Sequence, residues 1–491
     1  MTIDDIVFTE KNMKRGVNKQ CTMFEHMINK IKKSTSLSRR LKYAKQALKI
    51  ANNGSTRYYS SYDIESVFIE IAQNNSVPLS SNVIPNSVLH VASALYETGG
   101  HTRILERWIK NATPGQKNSL FLTRNTDIPK TVKSAVSEHN GEIIIPDETA
   151  TDIERALQLR KIASKYERII LHIHMDDYIP IIAFGTNDFT RPVYLFNHAD
   201  HRFWIGVSIS DCVISFRDFG REIAEKYRGV KNSFYMPLII ESNPIQVHNN
   251  ITKLKQNLGI PINRPVIFTA GSAQKFRPLL NMNFNTFVNK LINHVPNVII
   301  VAVGPTLNNV PDKNIINLSV MPHDKFIQYL NCADVVIDSF PFSGGTALLD
   351  AVSATKPVLS LKCPTGQLDY ITKSIAYCNT VSELVKRTCK LIKSTTERKN
   401  NLRDVKKHLV KDNLSAWVKR RDLLYTKEIT HSVNRFHSIK KNIDMLDYFM
   451  FQNTCDIKRK LHIPYFFDVF RITHAGTKHY IVIRCRMRRA K

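Results

Sequence analysis

From residue 83 onward, short runs rich in β-branched and aromatic residues alternate with stretches whose apolar positions recur three and four apart. The runs "SVLHVASAL" (87–95), "SLFLTR" (119–124), "EIIIP" (142–146), "RIILHIH" (168–174), "PVYLFNH" (192–198) and "CVISFR" (212–217) predict strands. Between them, "HTRILERWIKN" and "ATDIERALQLRKIASKY" predict helices. A second series follows residue 265: "VIFTAGS", a helix near 279–294, "NVIIVAVGP", a helix over "HDKFIQYLNCA", "DVVIDSF", a helix from 346, and "PVLSLK". Strands alternating with helices build parallel sheets. The pattern predicts an α/β chain of two doubly wound, Rossmann-like domains with a cleft between them, a usual place for ligands.

The flanks read differently. Residues 22–80 predict helices; "LSRRLKYAKQALKIANNG" places Leu41, Ala44, Ala47 and Leu48 on one face and stops at Gly54. Beyond about 415 the alternation fades into basic helix-like and aromatic segments, "DYFMF" and "IPYFFDVF". The expected division is a helical extension (1–82), a first Rossmann-like domain (83–240), a second Rossmann-like domain (241–415) and a basic C-terminal extension (416–491). The 491 residues also suit about three domain-sized units.

Net charge changes this picture. It is +28, and it is concentrated at the ends: 13 Lys and Arg against 4 Asp and Glu in residues 1–60, and 24 against 9 in residues 391–491. A basic periphery around a near-neutral middle suits an anionic surface as partner, whether membrane lipid, charged glycan or nucleic acid. No recognisable nucleic-acid module is present, so nucleic acid is not expected. No apolar run is long enough to span a bilayer, and the start lacks a signal-peptide layout. The eight scattered cysteines form no CxxC pair and read as reduced thiols. The expected location is cytoplasmic, peripheral at the inner face of the membrane.

The chemistry concentrates in "FPFSGGTALLDAV" (340–352). A buried-type strand runs into Ser343-Gly344-Gly345-Thr346, where a helix opens. Free N–H groups and the dipole at a helix start favour an anion, glycines let backbone approach phosphate, and Ser343 and Thr346 add hydroxyls. Asp350, one turn on, cannot favour phosphate but can accept two hydroxyl hydrogen bonds from a ribose. In "FTAGSAQKFRP", Lys275 and Arg277 fall at the end of the first strand of the second series, facing the same cleft. Met321-Pro322 forms a loop suited to a nucleobase. In the first series, Gly99 and Gly100 turn into a helix that begins with His101, whose charged form is disfavoured there. "LHIHMDD" ends a strand with His174, Asp176 and Asp177, and "LFNHADHRFW" ends another with His198, Asp200 and His201. His101, His198, His201 and Asp176 are the candidate bases, with Gly99, Gly100 and Asp200 on the loops beside them as substrate contacts. His198 and His201 flank Asp200 at a spacing that could hold a metal, yet match no strong signature, so no metal is expected.

Over most of residues 83–415 the chain resembles GT-B fold glycosyltransferases. "TGGHTR" looks like the Gly-rich turn of their acceptor-side domain; "AGSAQKFRP" and "IDSFPFSGGTALLDAVSATKPVLSL" look like their nucleotide-sugar side. "RLKYAKQALKIA" and "NHADHRFWIG" are similar to stretches of uncharacterised bacterial glycosyltransferases. The resemblance implies a nucleotide-sugar donor and a glycan, lipid-linked or protein acceptor, in surface polysaccharide or glycoconjugate synthesis. It implies that Asp350 takes the ribose, that Gly344, Gly345 and Thr346 take the phosphates, and that Lys275 and Arg277 take the leaving diphosphate. No bound metal or other cofactor is implied. Many retaining members carry two glutamates spaced E-x7-E here. Phe342 and Asp350 occupy those positions, so the sugar-contacting carboxylate is missing. The segment is closer to inverting O-GlcNAc transferase-like enzymes. The alternatives are a GT-B sugar-nucleotide epimerase, which needs no acceptor, and a basic nucleic-acid-binding protein.

Overall fold

The structure is a computed structural model that describes residues 9–75, 77–97, 100–124, 127–238, 250–308, 310–410 and 413–460. Gly99 and the segment "IPYFFDVF" lie outside the described residues.

Three helices lead: α1 (Glu10–Lys33), α2 (Leu37–Asn52) and α3 (Tyr62–Asn74). The Thr9 hydroxyl starts α1 by accepting the Asn12 N–H at 3.2 Å. The first lobe then runs β1 (Ile84–Ala92), α4 (Gly100–Lys110), β2 (Lys117–Leu122), α5 (Lys130–Glu138), β3 (Ile143–Ile144) and α6 (Asp152–Ala163). It continues with β4 (Tyr166–His172), α7 (Ile179–Phe184), β5 (Val193–Phe196), β6 (Cys212–Ser215), α8 (Asp218–Tyr227) and β7 (Ser233–Tyr235). These strands form one parallel sheet, ordered β3-β2-β1-β4-β5-β6-β7.

The second lobe repeats the scheme. It holds α9 (Ile251–Asn257), β8 (Val266–Ala270), α10 (Phe284–His294), β9 (Ile299–Val303), β10 (Ile315–Leu318) and α11 (His323–Asn331). Then come β11 (Val335–Ile337), α12 (Thr346–Ser353), β12 (Val358–Leu361), α13 (Asp369–Thr372), β13 (Tyr377–Cys378), α14 (Val381–Lys393) and α15 (Thr395–Leu409). Its sheet is also parallel, ordered β10-β9-β8-β11-β12-β13. Both sheets therefore reverse direction beside their first strand, between β1 and β4 and between β8 and β11. Loops leaving the carboxyl ends of those strands splay apart there and leave a crevice.

Each sheet is apolar on both faces, as helix-covered parallel strands must be. The leading helices belong to the first lobe's core. Phe24, Ala47, Ile64, Val67 and Phe68 pack with Leu89, Leu171 and Leu195 of its sheet. Each of the larger of these side chains, fully buried, contributes about 1.5–3 kcal/mol, and the Ala47 methyl less.

After α15 the chain returns to the first lobe. Helix α16 (Leu414–Tyr425) sets Trp417 edge-on to Trp108 at 5.2 Å, and the Trp108 indole N–H donates to the Tyr425 hydroxyl at 3.1 Å. The next segment has no regular structure and runs along the same lobe. His431 sits between Asp211 Oδ2 (2.9 Å) and the Phe184 carbonyl (2.8 Å), and the Ile439 N–H bonds the Tyr227 carbonyl. The last helix among the described residues, α17 (Met445–Lys460), packs against α1. Six cysteines among the described residues are free, five of them buried. No helix among the described residues is long and apolar enough to cross a membrane.

Candidate active site

The second-lobe part of the site is built around one carboxylate. Asp338, which is 3% exposed, directly follows strand β11. Its Oδ1 accepts the Gly344 N–H at 2.7 Å, and its Oδ2 accepts the hydroxyls of Ser343 (2.6 Å) and Ser360 (2.7 Å). Asp338 thus pins the loop that opens α12. The glycines are needed for separate reasons. A Cβ on Gly344 would lie 3.1 Å from Asp338 Oδ1, and Gly345 caps α12 with φ +50°. Ser343 turns its hydroxyl onto Asp338 rather than outward. The backbone of Thr346 begins α12; its side chain lies outside the described atoms. Burial raises the Asp338 pKa, opposed by its hydrogen bonds and by Lys275.

Lys275 reaches the same place from a 3₁₀ turn after β8, Ala273–Phe276. Its ammonium donates to the Ser343 carbonyl at 3.4 Å and lies 5.1 Å over the Phe342 ring. Burial lowers its pKa, and the Asp338 charge works against that. Arg277, half-buried, ends the turn. Met321 is half-buried against the second lobe's core, before α11. Asp350 sits on α12 with Oδ2 3.4 Å from His323 Nε2. Burial raises its pKa; His323 opposes this, followed by Arg103 and Arg107. Those two arginines belong to α4, so α4 lies close enough to α12 for its charges to act on Asp350.

On the first lobe, Gly100 begins α4 and His101 follows. His101 Nε2 lies 3.0 Å from the His172 carbonyl oxygen. A carbonyl only accepts, so Nε2 carries the proton and Nδ1 keeps a lone pair. That Nδ1 is buried and has no partner among the described residues. The His198 ring is 4.3 Å away and His174 5.8 Å. Burial, then His174, depresses His101 to about 4; burial, then His101, holds His198 well below its ordinary range. Behind them lies a buried chain. The Asn118 amide donates to the Gln116 carbonyl, so its Oδ1 faces His90 Nε2 at 3.1 Å, and His90 Nδ1 is 3.1 Å from His172 Nε2.

The other two candidate bases lie apart from this pair. His201 turns edge-on to Phe342 of the opposite lobe at 5.8 Å, with Nδ1 3.4 Å from Asp200. Asp176 pairs with Arg124 at 2.9 Å. Asp200 is not presented to the cleft. It is 1% exposed, and both oxygens take Arg217 at 2.6 Å. Burial works against its ionisation, but Arg217 outweighs that and holds it below the carboxylate range. Arg217 also donates to the Gly366 carbonyl of the second lobe at 2.9 Å, and the Asp218 N–H bonds Asp369. These contacts form the floor of the cleft.

The structure therefore assembles Lys275, Ser343, Gly344, Gly345, the start of α12 and Asp350 on one wall, with His101 and His198 together on the other lobe. Sequence reasoning passed over Asp338, His172 and His323. Asp338 had a signal, a lone carboxylate ending the apolar run "VVI" where ligand loops begin. Among the described residues no group of His, Cys, Asp or Glu side chains is arranged as a metal site.

No protein-family model matches the sequence, and no curated protein matches it. Solved structures do. A glycosyltransferase from Rickettsia africae aligns with TM-score 0.52 at 11% identity, over 70% of this chain and 98% of that one. Anabaena HepE in complex with UDP aligns at 0.51 and 12% identity, over 70% and 100%. An O-GlcNAc transferase from Thermobaculum terrenum aligns at 0.50 and 11% identity, over 89% and 83%. With two parallel sheets of matching strand order facing across a cleft, the chain has the GT-B fold of these glycosyltransferases.

Proposed function

We propose that the protein transfers a sugar from a nucleoside-diphosphate donor to a hydroxyl of a glycan, lipid-linked or protein acceptor, with inversion and without a bound metal. The observation that carries this reading is the α12 start, where Lys275, the closely packed Gly344, the left-handed Gly345 and Asp350 gather near α4. In this reading the diphosphate lies against the N–H groups of Gly345 and Thr346, with Lys275 and Arg277 beside it. Asp350 accepts the ribose hydroxyls and Met321 borders the base. The acceptor oxygen attacks the anomeric carbon as the bond to the diphosphate oxygen breaks. The acceptor proton passes to His101 Nδ1, whose lone pair is set by the His172 carbonyl; His198 borders it. The departing electron pair stays on the diphosphate, where Lys275 and the helix start stabilise it.

Because Anabaena HepE was crystallised with UDP, UDP is the first nucleotide to try. A thermal-shift panel of UDP, GDP, CMP and their sugars tests the reading. A stabilising nucleotide diphosphate whose effect is lost in Lys275→Met supports it; stabilisation by none of them refutes it. The basic ends would hold the protein on an anionic membrane face, which suits a lipid-linked or anionic acceptor.

A further inference from the structure

The donor-side loop is braced from outside both sheets. Phe342, one residue before Ser343, is stacked face to face on Phe449 of α17, with ring centroids 5.4 Å apart and planes 8° from parallel. The same Phe342 ring carries the Lys275 ammonium. Helix α17 also reaches the segment just after the lysine-bearing turn: the Gln452 amide donates to the carbonyl of Pro278, next to Arg277, at 2.9 Å.

Helix α17 is itself firmly held. Buried Asp447 takes the Lys441 ammonium (2.7 Å), the Asp444 N–H (2.9 Å) and the Ser55 hydroxyl. The Phe451 ring fills the space beside Gly16 of α1, where a Cβ would lie 2.1 Å from the ring. Around these contacts, Met13 and Val17 of α1, Tyr59 and Ile223 of the first lobe, Leu279 of the second and Met450 form one apolar cluster. The brace thus rests on α1 and the first lobe and presses on the loop of the second.

We infer that α17 is a positioning element for the leaving-group lysine: Phe449 fixes the Phe342 ring, and that ring with the Ser343 carbonyl fixes Lys275 at the start of α12. The inference rests on the reading above that Lys275 receives the donor's terminal phosphate. At the first position of the E-x7-E spacing this chain has Phe342, an aromatic ring that meets both the helix and the lysine. An aromatic stack and a cation–π contact are each modest, and losing their alignment should weaken diphosphate binding about three- to tenfold.

The test measures Kd for UDP and UMP by calorimetry on the full chain. Phe449→Ala should weaken UDP about three- to tenfold and UMP much less, since UMP lacks the terminal phosphate. Phe449→Tyr, which keeps the ring, should restore UDP affinity; Phe449→Leu, which keeps apolar bulk without the stack, should not. In a Lys275→Met background Phe449→Ala should add nothing. Equal losses for UDP and UMP, or full additivity with Lys275→Met, would overturn the inference. If Lys275→Met weakens UDP but Phe449→Ala leaves it unchanged, the brace is wrong and the donor site stands. UDP stands here for whichever nucleoside diphosphate the thermal-shift panel selects; if none binds the wild type, both fall.

Discussion

Acid should destabilise the first lobe through its buried histidines, and His90 permits the size of the effect to be worked out. His90 is fully buried between Asn118 and His172. Burial depresses its pKa from 6.5 to about 4, with the Asn118 hydrogen bond working the other way. The folded protein therefore binds this proton less readily than the unfolded chain. Between about 4 and 6.5 the unfolded state holds more protons, so stability rises with pH through that window and is fully present above it. At about 1.4 kcal/mol per pKa unit, His90 alone withdraws about 3 kcal/mol by the bottom of the window. His172 and His101 are shifted in the same direction and add to the slope. Urea unfolding at a series of pH values from ~7.5 to ~4.5 measures this directly, for the wild type and for His90→Gln. The glutamine amide can still donate to Asn118 and accept from His172, but it does not titrate. The variant's stability should fall less steeply, by up to ~1.4 kcal/mol per pH unit, the slope one proton carries. Parallel curves for the two proteins, or a wild-type stability that is flat across the window, would refute the reasoning.

Asp338→Ala leaves the Gly344 N–H and two serine hydroxyls without their acceptor; it should cost about 2 kcal/mol in denaturant melts and release the donor loop. Asp338→Asn keeps an acceptor for Gly344 and should cost under ~1 kcal/mol; because the raised Asp338 pKa makes stability decline as pH climbs from the ordinary carboxylate range to that raised value, the asparagine should also flatten that decline. Asp350→Ala should weaken nucleotide binding about tenfold with little change in melting temperature, read by titration of UDP against its 2′-deoxy analogue; equal discrimination in wild type and variant would remove Asp350 from the ribose. Flotation with anionic vesicles should show binding that ~0.5 M salt reverses, and binding insensitive to lipid charge would count against the basic ends as the cause.

Much of the architecture was legible because parallel strands covered on both faces read as plain apolar runs. "VIF", "IIVAV" and "VLSL" became β8, β9 and β12 almost as written. The failures are local and have local causes. The helix expected near 279 starts at Phe284 instead. Leu280 is in a left-handed conformation, Leu279 and Met282 bridge, and the Asn283 side chain caps the Asn285 and Thr286 N–H groups. Helix α1 starts well before residue 22, at Glu10, and the capping threonine ahead of it was a missed signal. Strand β13 is two residues long, too short for any periodicity, whereas the equally short β3 falls inside the predicted run "EIIIP". At the site, the glycines and the α12 start showed in the sequence because a phosphate-type turn constrains adjacent residues. The pairings of Phe342 with Phe449, Asp200 with Arg217 and His90 with His172 join distant segments. Nothing near either partner in the chain specifies them.

The α1–α17 contact also imposes a timetable on synthesis. Domains generally form from the amino end as the chain emerges from the ribosome. Both described sheets can close before Phe449 is made, because every strand among the described residues lies upstream of it. Over that interval the Phe342 ring has no stacking partner, and the seat beside Gly16 stands empty. The nascent protein should have its outline before its donor loop is set, with α17 as the late step that readies it.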